Sequence, residues 1–409
     1  VVGTRSCVFA PAKKLKLIVI DEENDSVYKQ DQVPHYHARE TALMRAKIEK
    51  AKTVLASGLP SLESIYTAKK FKIEPLVFSQ EMLLPEVKIA DMRRGFIHKK
   101  DSILTKYLQD AIVSALESGG KILLFLNRKG FATLSYCHNC GKVLKCPRCD
   151  TNLIYHFKEQ LLTCHYCNYK MRLPKFCPEC NSGYIRYSGF GTEKIESELS
   201  RLFPGARIKI LNERKEDPLE DADIFIATQF ILKENSINFE LIGVLSIDNS
   251  LNRLDLRAGE KTFALLLGLL KFCGKKMIIQ TYMGEHYCFR ALEHKDIDLF
   301  YKEEIKQRQQ LKFPPFSHLA FVKVRGNKES RVKEASQKIF EALSAAAKNS
   351  KNISVVNLSK AYPFKLRDNF YWQVLVKSPS VLKMSAFLKK ELKGLRHSGI
   401  IVTVDVDPV

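Results

Sequence analysis

The sequence predicts an α/β protein built on parallel sheets, interrupted by a small cysteine-rich module and closed by a separate α+β domain. Three observations carry that class. Short apolar runs alternate with helical periods through most of the chain. Four Cys-x-x-Cys pairs between Cys137 and Cys180 interrupt the alternation. A composition change at Phe313-Pro-Pro-Phe316 then marks a linker.

The elements follow in order. Leu15-Lys-Leu-Ile-Val-Ile20 is a short apolar run ending at Asp21, the pattern of a buried parallel strand with an acidic C-terminal edge. Residues 39–52 have helical periodicity, and Lys52-Thr-Val-Leu-Ala56 resumes as strand. An amphipathic helix over 104–116 is broken by Gly119-Gly120 before the strand Lys121-Ile-Leu-Leu-Phe-Leu126. Strand and helix alternate again over 208–211, 224–227 and 241–247. Beyond the linker, strands are expected at 319–324, 373–376 and 400–406.

At 409 residues the chain fits two or three domains, and 45% hydrophobic content is that of a folded protein. No apolar run is long enough to span a bilayer; the longest, 263–270, is followed at once by Lys271. With no secretory signal at the N-terminus, the expected location is cytoplasmic, with reduced cysteines. The chain opens on Val1 and directly on a strand-like stretch, as a segment of something longer would. Lysine and arginine outnumber aspartate and glutamate by 66 to 45, a net charge of +21. Such an excess favours polyanions, nucleic acid ahead of acidic membrane, over a merely solvated basic surface.

The cysteine pairs are Cys137/Cys140, Cys146/Cys149, Cys164/Cys167 and Cys177/Cys180. Each Cys-x-x-Cys turn presents two thiolates to one side of a metal, so two turns complete a tetrahedral site. Small residues that suit a tight turn follow the pairs: Gly141, Asp150, Asn168 and Asn181. Four pairs allow more than one partnering. The middle two are separated by fourteen residues, the spacing of a zinc ribbon, whereas only five join the first two. The favoured arrangement is nested, with Cys146, Cys149, Cys164 and Cys167 on one Zn2+ and Cys137, Cys140, Cys177 and Cys180 on the other. A disulfide or redox cluster would need an oxidising compartment or a thioredoxin context, and neither is visible. With four thiolates and no open position, both sites are structural. His138, His156 and His165 are surplus to them, and Cys7, Cys273 and Cys288 read as core residues.

Asp21-Glu22-Glu23-Asn24 follows an apolar strand. In P-loop ATPases that placement lets an aspartate hold Mg2+ beside a residue that orients the attacking water, although such a strand end is more often a solvated loop. The flanking residues add to the reading. Gly3-Thr-Arg-Ser6, Val19-Ile-Asp-Glu-Glu-Asn-Asp-Ser-Val-Tyr-Lys-Gln30, Pro34-His-Tyr-His-Ala-Arg39 and Pro60-Ser-Leu-Glu-Ser64 resemble the primosomal protein N′ family, the bacterial PriA replication-restart helicases. So do Leu124-Phe-Leu-Asn-Arg-Lys-Gly-Phe131, Gly189-Phe-Gly-Thr-Glu193, Phe313-Pro-Pro-Phe-Ser-His318, Tyr371-Trp-Gln373 and Val404-Asp-Val-Asp-Pro408.

The resemblance runs along the whole chain and implies a superfamily 2, 3′-to-5′ DNA helicase acting at stalled forks. It implies two RecA-like lobes, the first incomplete over 1–103, and the second over 104–312 with the cysteine insertion at 136–183. A C-terminal domain of the family type would occupy 313–409. The implied cofactors are two Zn2+ in the nested arrangement, with ATP and Mg2+ for the motor. The implied partners are forked and single-stranded DNA, other primosome proteins and the replicative helicase loader, with no membrane. Asp21 and Glu22 would take the Walker B roles. Thr4 and Arg5 would lie beside the DNA track, and Tyr28, Lys29, Tyr36 and Arg39 in the loop that couples DNA contact to ATP hydrolysis.

The departures from the family concern nucleotide chemistry. No Gly-x-x-x-x-Gly-Lys-Ser/Thr occurs in the chain, so the phosphate-cradling loop is missing from it. Asn24 stands where the family has histidine, Ala56-Ser-Gly-Leu-Pro60 loses a threonine hydroxyl at Leu59, and Ala227-Thr-Gln229 is followed by Lys233-Glu-Asn235 in place of Lys-Gly-His. Where Gln-x-x-Gly-Arg-x-Gly-Arg should follow Thr262-Phe-Ala-Leu-Leu266, the chain reads Leu267-Gly-Leu-Leu-Lys-Phe-Cys-Gly274. That lost segment carries the arginine finger, worth roughly 10³–10⁵ in turnover in related nucleotide hydrolases. Lys271 is a point charge and cannot reproduce a bidentate guanidinium contact. The expectation is a fork-binding restart protein with an impaired ATPase; the alternative is an active helicase truncated in this chain.

Overall fold

The first apolar run becomes β1 (Leu17–Ile20), joined through helix α1 (Ala38–Glu49) to β2 (Lys52–Leu55). The two strands pair in parallel, Leu17 opposite Lys52 and Ile20 opposite Leu55. One face packs Ile18, Ile20 and Leu55 on Val8, Ala42, Tyr28 and Tyr36. The opposite pleat leaves Leu17 and Val19 exposed. Helix α2 (Leu62–Phe71) starts at Ser61, whose Oγ accepts from the Ser64 N–H and caps the first turn. This computed structural model describes all residues except 31, 77–84, 94–102, 128–133, 138, 141, 150, 157–159, 165–166, 184, 189–191, 212–221, 235–236, 252–254, 396–397 and 409.

The middle of the chain contributes β3 (Glu86–Asp91), α3 (Lys106–Glu117), β4 (Ile122–Leu126), α4 (Thr192–Leu202), β10 (Ile208–Ile210), β11 (Ile224–Ala227), β12 (Phe239–Ser246), α5 (Asp248–Leu251), α6 (Ala258–Leu270), β13 (Cys273–Thr281), α7 (Tyr287–Glu293) and α8 (Ile297–Gln310). Between β4 and α4 lie β5 (Leu134–Cys137), β6 (Ile154–His156), β7 (Leu161–Thr163), β8 (Lys170–Arg172) and β9 (Ile185–Ser188). A parallel sheet runs β10-β11-β4-β12-β13-β3. The uninterrupted apolar run of β4 is buried along its whole length, as a central parallel strand requires. Ile122 and Leu124 meet Leu108, Ile112, Ile195 and Leu199 from α3 and α4 in one core. Gly119, at φ 70°, takes the left-handed turn that ends α3 and starts β4.

The last quarter forms β14 (His318–Gly326), α9 (Glu329–Ala347), β15 (Ser354–Leu366), β16 (Asn369–Ser378), α10 (Val381–Glu391) and β17 (Ile401–Val406). The strand–helix–strand–strand–helix–strand order folds into an antiparallel sheet β15-β16-β14-β17. Ala320, Val322, Val324, Val374 and Val376 pack against Val332, Ile339, Met384 and Leu388 of the two helices.

Val1–Phe78 and Glu304–Val409 form one compact unit and Ser79–Glu303 the other. Strand β3, expected with the first lobe, pairs with β13 from Glu86 opposite Lys276 to Asp91 opposite Thr281. The C-terminal domain, expected to stand apart, is tied to the first residues by the ion pair Lys29–Asp405 at 3.3 Å, and the end of α8 before it by Arg308–Glu63 at 3.4 Å. Sequence patterning sees burial along one element; it carries no record of which distant charge neutralises which.

Two sequence signatures far apart in the chain meet in the first unit. His318 at the start of β14 places Nδ1 2.6 Å from Asp407 Oδ2, while Asp407 Oδ1 accepts from the Leu319 N–H at 2.8 Å. The Asp407 hydrogen bond, opposed by burial and supported by the carboxylate charge, raises the His318 pKa above its ordinary value. A raised folded-state pKa contributes stability that is complete below the unfolded value of about 6.5 and disappears as pH rises through the folded value. Thermal melts from pH 6 to 8.5 are expected to show wild-type protein losing more stability than Asp407→Asn. The difference should stay under about 1 kcal/mol because the pair is partly exposed. Parallel pH profiles for the two proteins would contradict this assignment.

Candidate metal centre and acidic strand end

Each Cys-x-x-Cys pair opens the same turn. The N–H groups of Cys137, Cys146, Cys164 and Cys177 donate to the carbonyls of Lys142, Thr151, Tyr169 and Ser182, each at 2.8 Å. The residue after the second cysteine enters the left-handed region where it is described, Asn168 and Asn181 at φ 57°. That conformation favours glycine, asparagine and aspartate, which is why small residues follow the pairs. The antiparallel sheet β8-β7-β6-β5-β9 carries these turns, with Cys137 opposite Ile185 where the insertion enters and leaves.

The turns bring eight thiols into two tetrads. Cys137, Cys140, Cys177 and Cys180 form one and Cys146, Cys149, Cys164 and Cys167 the other, with sulfurs within 4.8 Å of one another in each. Cys137 and Cys180 Sγ lie 3.5 Å apart, Cys140 and Cys177 3.7 Å, and Cys146 and Cys167 3.6 Å. Four thiolates about 2.3 Å from a tetrahedral Zn2+ are about 3.8 Å apart, so the donor set and its spacing fit that ion. Burial pushes the Cys146 thiol up to about 12, against N–H groups of Arg148 and Cys149 that lower it; a bound cation reverses this by neutralising the thiolate. The first tetrad includes exposed Cys140, whereas the second has three buried members. His138 and His165 lie outside the described residues. Cys273 and Cys288 are buried, as expected, and Cys7 is half-buried.

The acidic strand end divides its side chains between solvent and interior. Asp21 and Glu22 follow β1 and are exposed, with Glu22 in the left-handed region at φ 46°. Glu23 turns inward and is buried. The Glu23 N–H donates to Ala56 O, and Ser57 Oγ donates to Asn24 Oδ1 at 2.7 Å, which joins this turn to the end of β2. Leu59 is buried at the position expected to carry a hydroxyl.

The residues assigned to DNA by resemblance have unequal exposure. Thr4 is exposed. Arg5 Nη1 donates to the carbonyls of Val27 and Lys29 at 2.9 Å. Half-buried Tyr28 donates its hydroxyl to Asp21 O at 2.6 Å, and Tyr36 stacks edge-on against Phe9. Lys29 and Arg39, in contrast, are only 6% and 4% exposed. Arg39 Nη1 lies 2.7 Å from Glu23 Oε2 and also donates to Ser61 Oγ, with Nη2 3.9 Å from Glu63. Guanidinium hydrogen-bonding capacity is therefore directed into the protein.

At the C-terminal edge of the large sheet, where open α/β sheets place ligands, the structure gathers polar groups that sequence reading did not assign. Gln229 donates to Asn127 Oδ1 at 2.9 Å, and Asn127 donates to Ser250 Oγ. Asp248 accepts from Thr281 Oγ1 and from the Tyr282 N–H at 2.9 Å. The available signal was position alone: Asn127, Asp248 and Thr281 each stand at or just beyond the end of an apolar strand. Among the described residues, no helix is long and apolar enough to cross a membrane.

The stretch expected to hold the arginine finger is the end of α6, with Leu269 and Leu270 buried. Only Lys271 and Phe272 separate α6 from β13. Lys271 is exposed and Phe272 buried. Residues 128–131, 189–191 and 235, parts of other quoted signatures, lie outside the described residues.

These features define an α/β protein that carries an inserted module with two four-cysteine metal-binding clusters. Comparison with known proteins gives the particular family. Residues 309–409 match the Primosomal protein N C-terminal domain, and residues 146–172, which hold the whole second tetrad, match the PriA DNA helicase Cys-rich region (CRR) domain. Replication restart protein PriA of Bacillus subtilis is 33% identical over 436 residues, covering all of this chain and 54% of its own length. PriA of Rickettsia prowazekii is 33% identical over 431 residues, with 66% of its length covered, and PriA of Borreliella burgdorferi 29% over 426, with 64% covered. The chain belongs to the PriA replication restart family and spans about half to two thirds of the length of these relatives. Among solved structures, S. cerevisiae Dbp5 bound to RNA and ADP BeF3 aligns with 74% of this chain and 64% of its own at 12% identity, with a TM-score of 0.30. The yeast DEAD-box splicing factor Prp28 aligns with 74% and 55% at 10% identity and a TM-score of 0.25.

Proposed function

We propose that this chain acts as a replication-restart platform that binds forked and single-stranded DNA, holds two structural Zn2+, and has lost most or all ATP turnover. The observation that carries the reading is the short turn between α6 and β13. A helix that ends in buried leucines and passes through two residues into a strand has no room for a finger segment. The metal clusters and the C-terminal domain keep the features of the family, so what has decayed is the nucleotide chemistry. A net charge of +21 suits phosphate tracking without base readout, which makes binding strongly salt-dependent. On this reading the two RecA-like lobes persist as a scaffold, and primosome proteins and the helicase loader are the partners.

The competing reading is an ATP-dependent 3′-to-5′ DNA helicase whose remaining parts lie outside this chain. Exposed Asp21 and Glu22, with Ser57 reaching Glu22 Oε2 at 3.4 Å, favour it. ATP hydrolysis by the protein expressed from its native start, with and without forked DNA, separates the two. The platform predicts fork binding without DNA-stimulated turnover. Stimulated turnover that disappears in Asp21→Ala would establish the motor instead.

A further inference from the structure

We infer that Lys29 is a positioning residue through which the C-terminal domain holds the loop after the acidic strand end, rather than a contact to DNA phosphate. Lys29 Nζ lies 3.3 Å from Asp405 Oδ1 on β17 and donates to the carbonyl of Val406. Its ammonium is thus paired and hydrogen-bonded inside the compact unit formed by Val1–Phe78 and Glu304–Val409. A phosphate reaching Lys29 would have to displace both partners and leave the Asp405 carboxylate, itself nearly buried, with one cation, Lys323, in place of two.

The loop is built to transmit that anchor. Its backbone closes on itself, with Gln30 N–H donating to Tyr36 O at 2.8 Å and Lys29 bridging His37. Arg5 clamps the carbonyls of Val27 and Lys29 from outside. At one end Tyr28 donates to the carbonyl of Asp21; at the other, Arg39 grips Glu23. The segment from Asp21 to Arg39 is therefore fastened to the acidic turn at both ends and to β17 in its middle. Movement of the C-terminal domain away from Lys29 loosens the loop, and with it the backbone that carries Asp21 and Glu22.

Hydrogen–deuterium exchange and DNA titrations on the full chain test this, using Asp405→Asn, Lys29→Met and, as a control, Lys323→Met. Lys323 is the second cation on Asp405, at 3.1 Å, and stands on β14, with no hydrogen bond or ion pair to the described residues of the loop. Exchange across 25–37 is expected to rise about tenfold or more in Lys29→Met, which loses both the ion pair and the hydrogen bond to Val406, to rise by a smaller factor in Asp405→Asn, which loses the ion pair alone, and to stay unchanged in Lys323→Met. The slope of log affinity for single-stranded DNA against log salt should be the same for Lys29→Met as for wild type. Loss of a phosphate contact would instead reduce the slope by about 1. Unchanged loop exchange in Asp405→Asn, or a reduced slope in Lys29→Met, overturns the assignment. The titration rests on the DNA-binding reading above, whereas the exchange measurement does not. Failure of wild-type protein to bind DNA would count against that reading and leave exchange to decide the role of Lys29.

Discussion

Replacement of Cys149 by serine is expected to remove one Zn2+ of two and to unfold the tip of the cysteine-rich module. Cys149 is fully buried in the second tetrad. The strands β6, β7 and β8 are three residues each, and among the described residues the buried apolar side chains of the module, apart from its cysteines, are Leu144, Leu153 and Leu162. So small a core cannot repay the conformational entropy of ordering the segment. Metal coordination supplies the difference, on the order of 10 kcal/mol per structural site. The nested arrangement gives the loss a direction. The first tetrad closes the base of the insertion, where β5 and β9 pair, so it can keep its ion while the tip opens. Zinc content by mass spectrometry should fall from two to one per chain, and protease should cut within 146–172 while the parallel sheet, whose core is separate, stays folded. Cys140→Ser should act in the opposite order, opening the base. Retention of two ions in Cys149→Ser would refute the pairing.

Arg308→Met should destabilise the first unit by about 3–5 kcal/mol, the usual cost of removing one member of a buried ion pair. Arg308 is 2% exposed. Its Nε lies 2.8 Å from Glu304, and Nη1 lies 3.4 Å from Glu63 and 3.3 Å from Pro314 O. Glu63 also faces Arg39, which pairs with Glu23, so removal takes from Glu63 and Glu304 the cation they share while Arg39 stays 3.9 Å from Glu63. The exposed pair Lys338–Glu334 on α9 provides the comparison: its removal should cost less than about 0.5 kcal/mol because solvent screens both charges. Denaturant unfolding gives both numbers. Adding Glu63→Leu to Arg308→Met should recover part of the loss, since the damage comes from carboxylates that lose a shared buried cation rather than from a missing attraction. A loss no larger than that of the surface pair would mean that water or rearrangement satisfies Glu63 and Glu304.

Both sets of groups show how differently a sequence reveals its structure. The cysteine tetrads were readable in advance because metal coordination has a fixed donor type, donor number and turn length, which leave a local pattern at Cys137, Cys146, Cys164 and Cys177. The runs that became β4, β11 and α3 were readable because burial on a regular element repeats with the period of that element. Strand β15 was missed, and its sequence explains why. Ser354-Val-Val-Asn-Leu-Ser-Lys-Ala-Tyr-Pro-Phe-Lys-Leu366 lies at a sheet edge, includes Pro363, and shifts register between Lys360 and Lys365, so no clean alternation survives. β13 was missed for a related reason: it opens on Cys273-Gly-Lys-Lys276 and turns apolar only at Met277.

The sequence by itself determined the α/β class, the metal-binding module, and the absence of an arginine-bearing segment between α6 and β13; it favoured the nested partnering, which the structure's two tetrads display. The tertiary structure decided the direction of the charged side chains. Lys29 and Arg39 stand among aromatic and polar residues that would suit a DNA-facing loop, yet both turn inward to carboxylates supplied from elsewhere: Asp405, 376 residues away, and Glu23, on the neighbouring turn. The physical reason is that a charge is neutralised by whatever approaches it in space. Apolar periodicity is a property of one segment, but an ion pair belongs to two, and the distance between them along the chain carries no information about it.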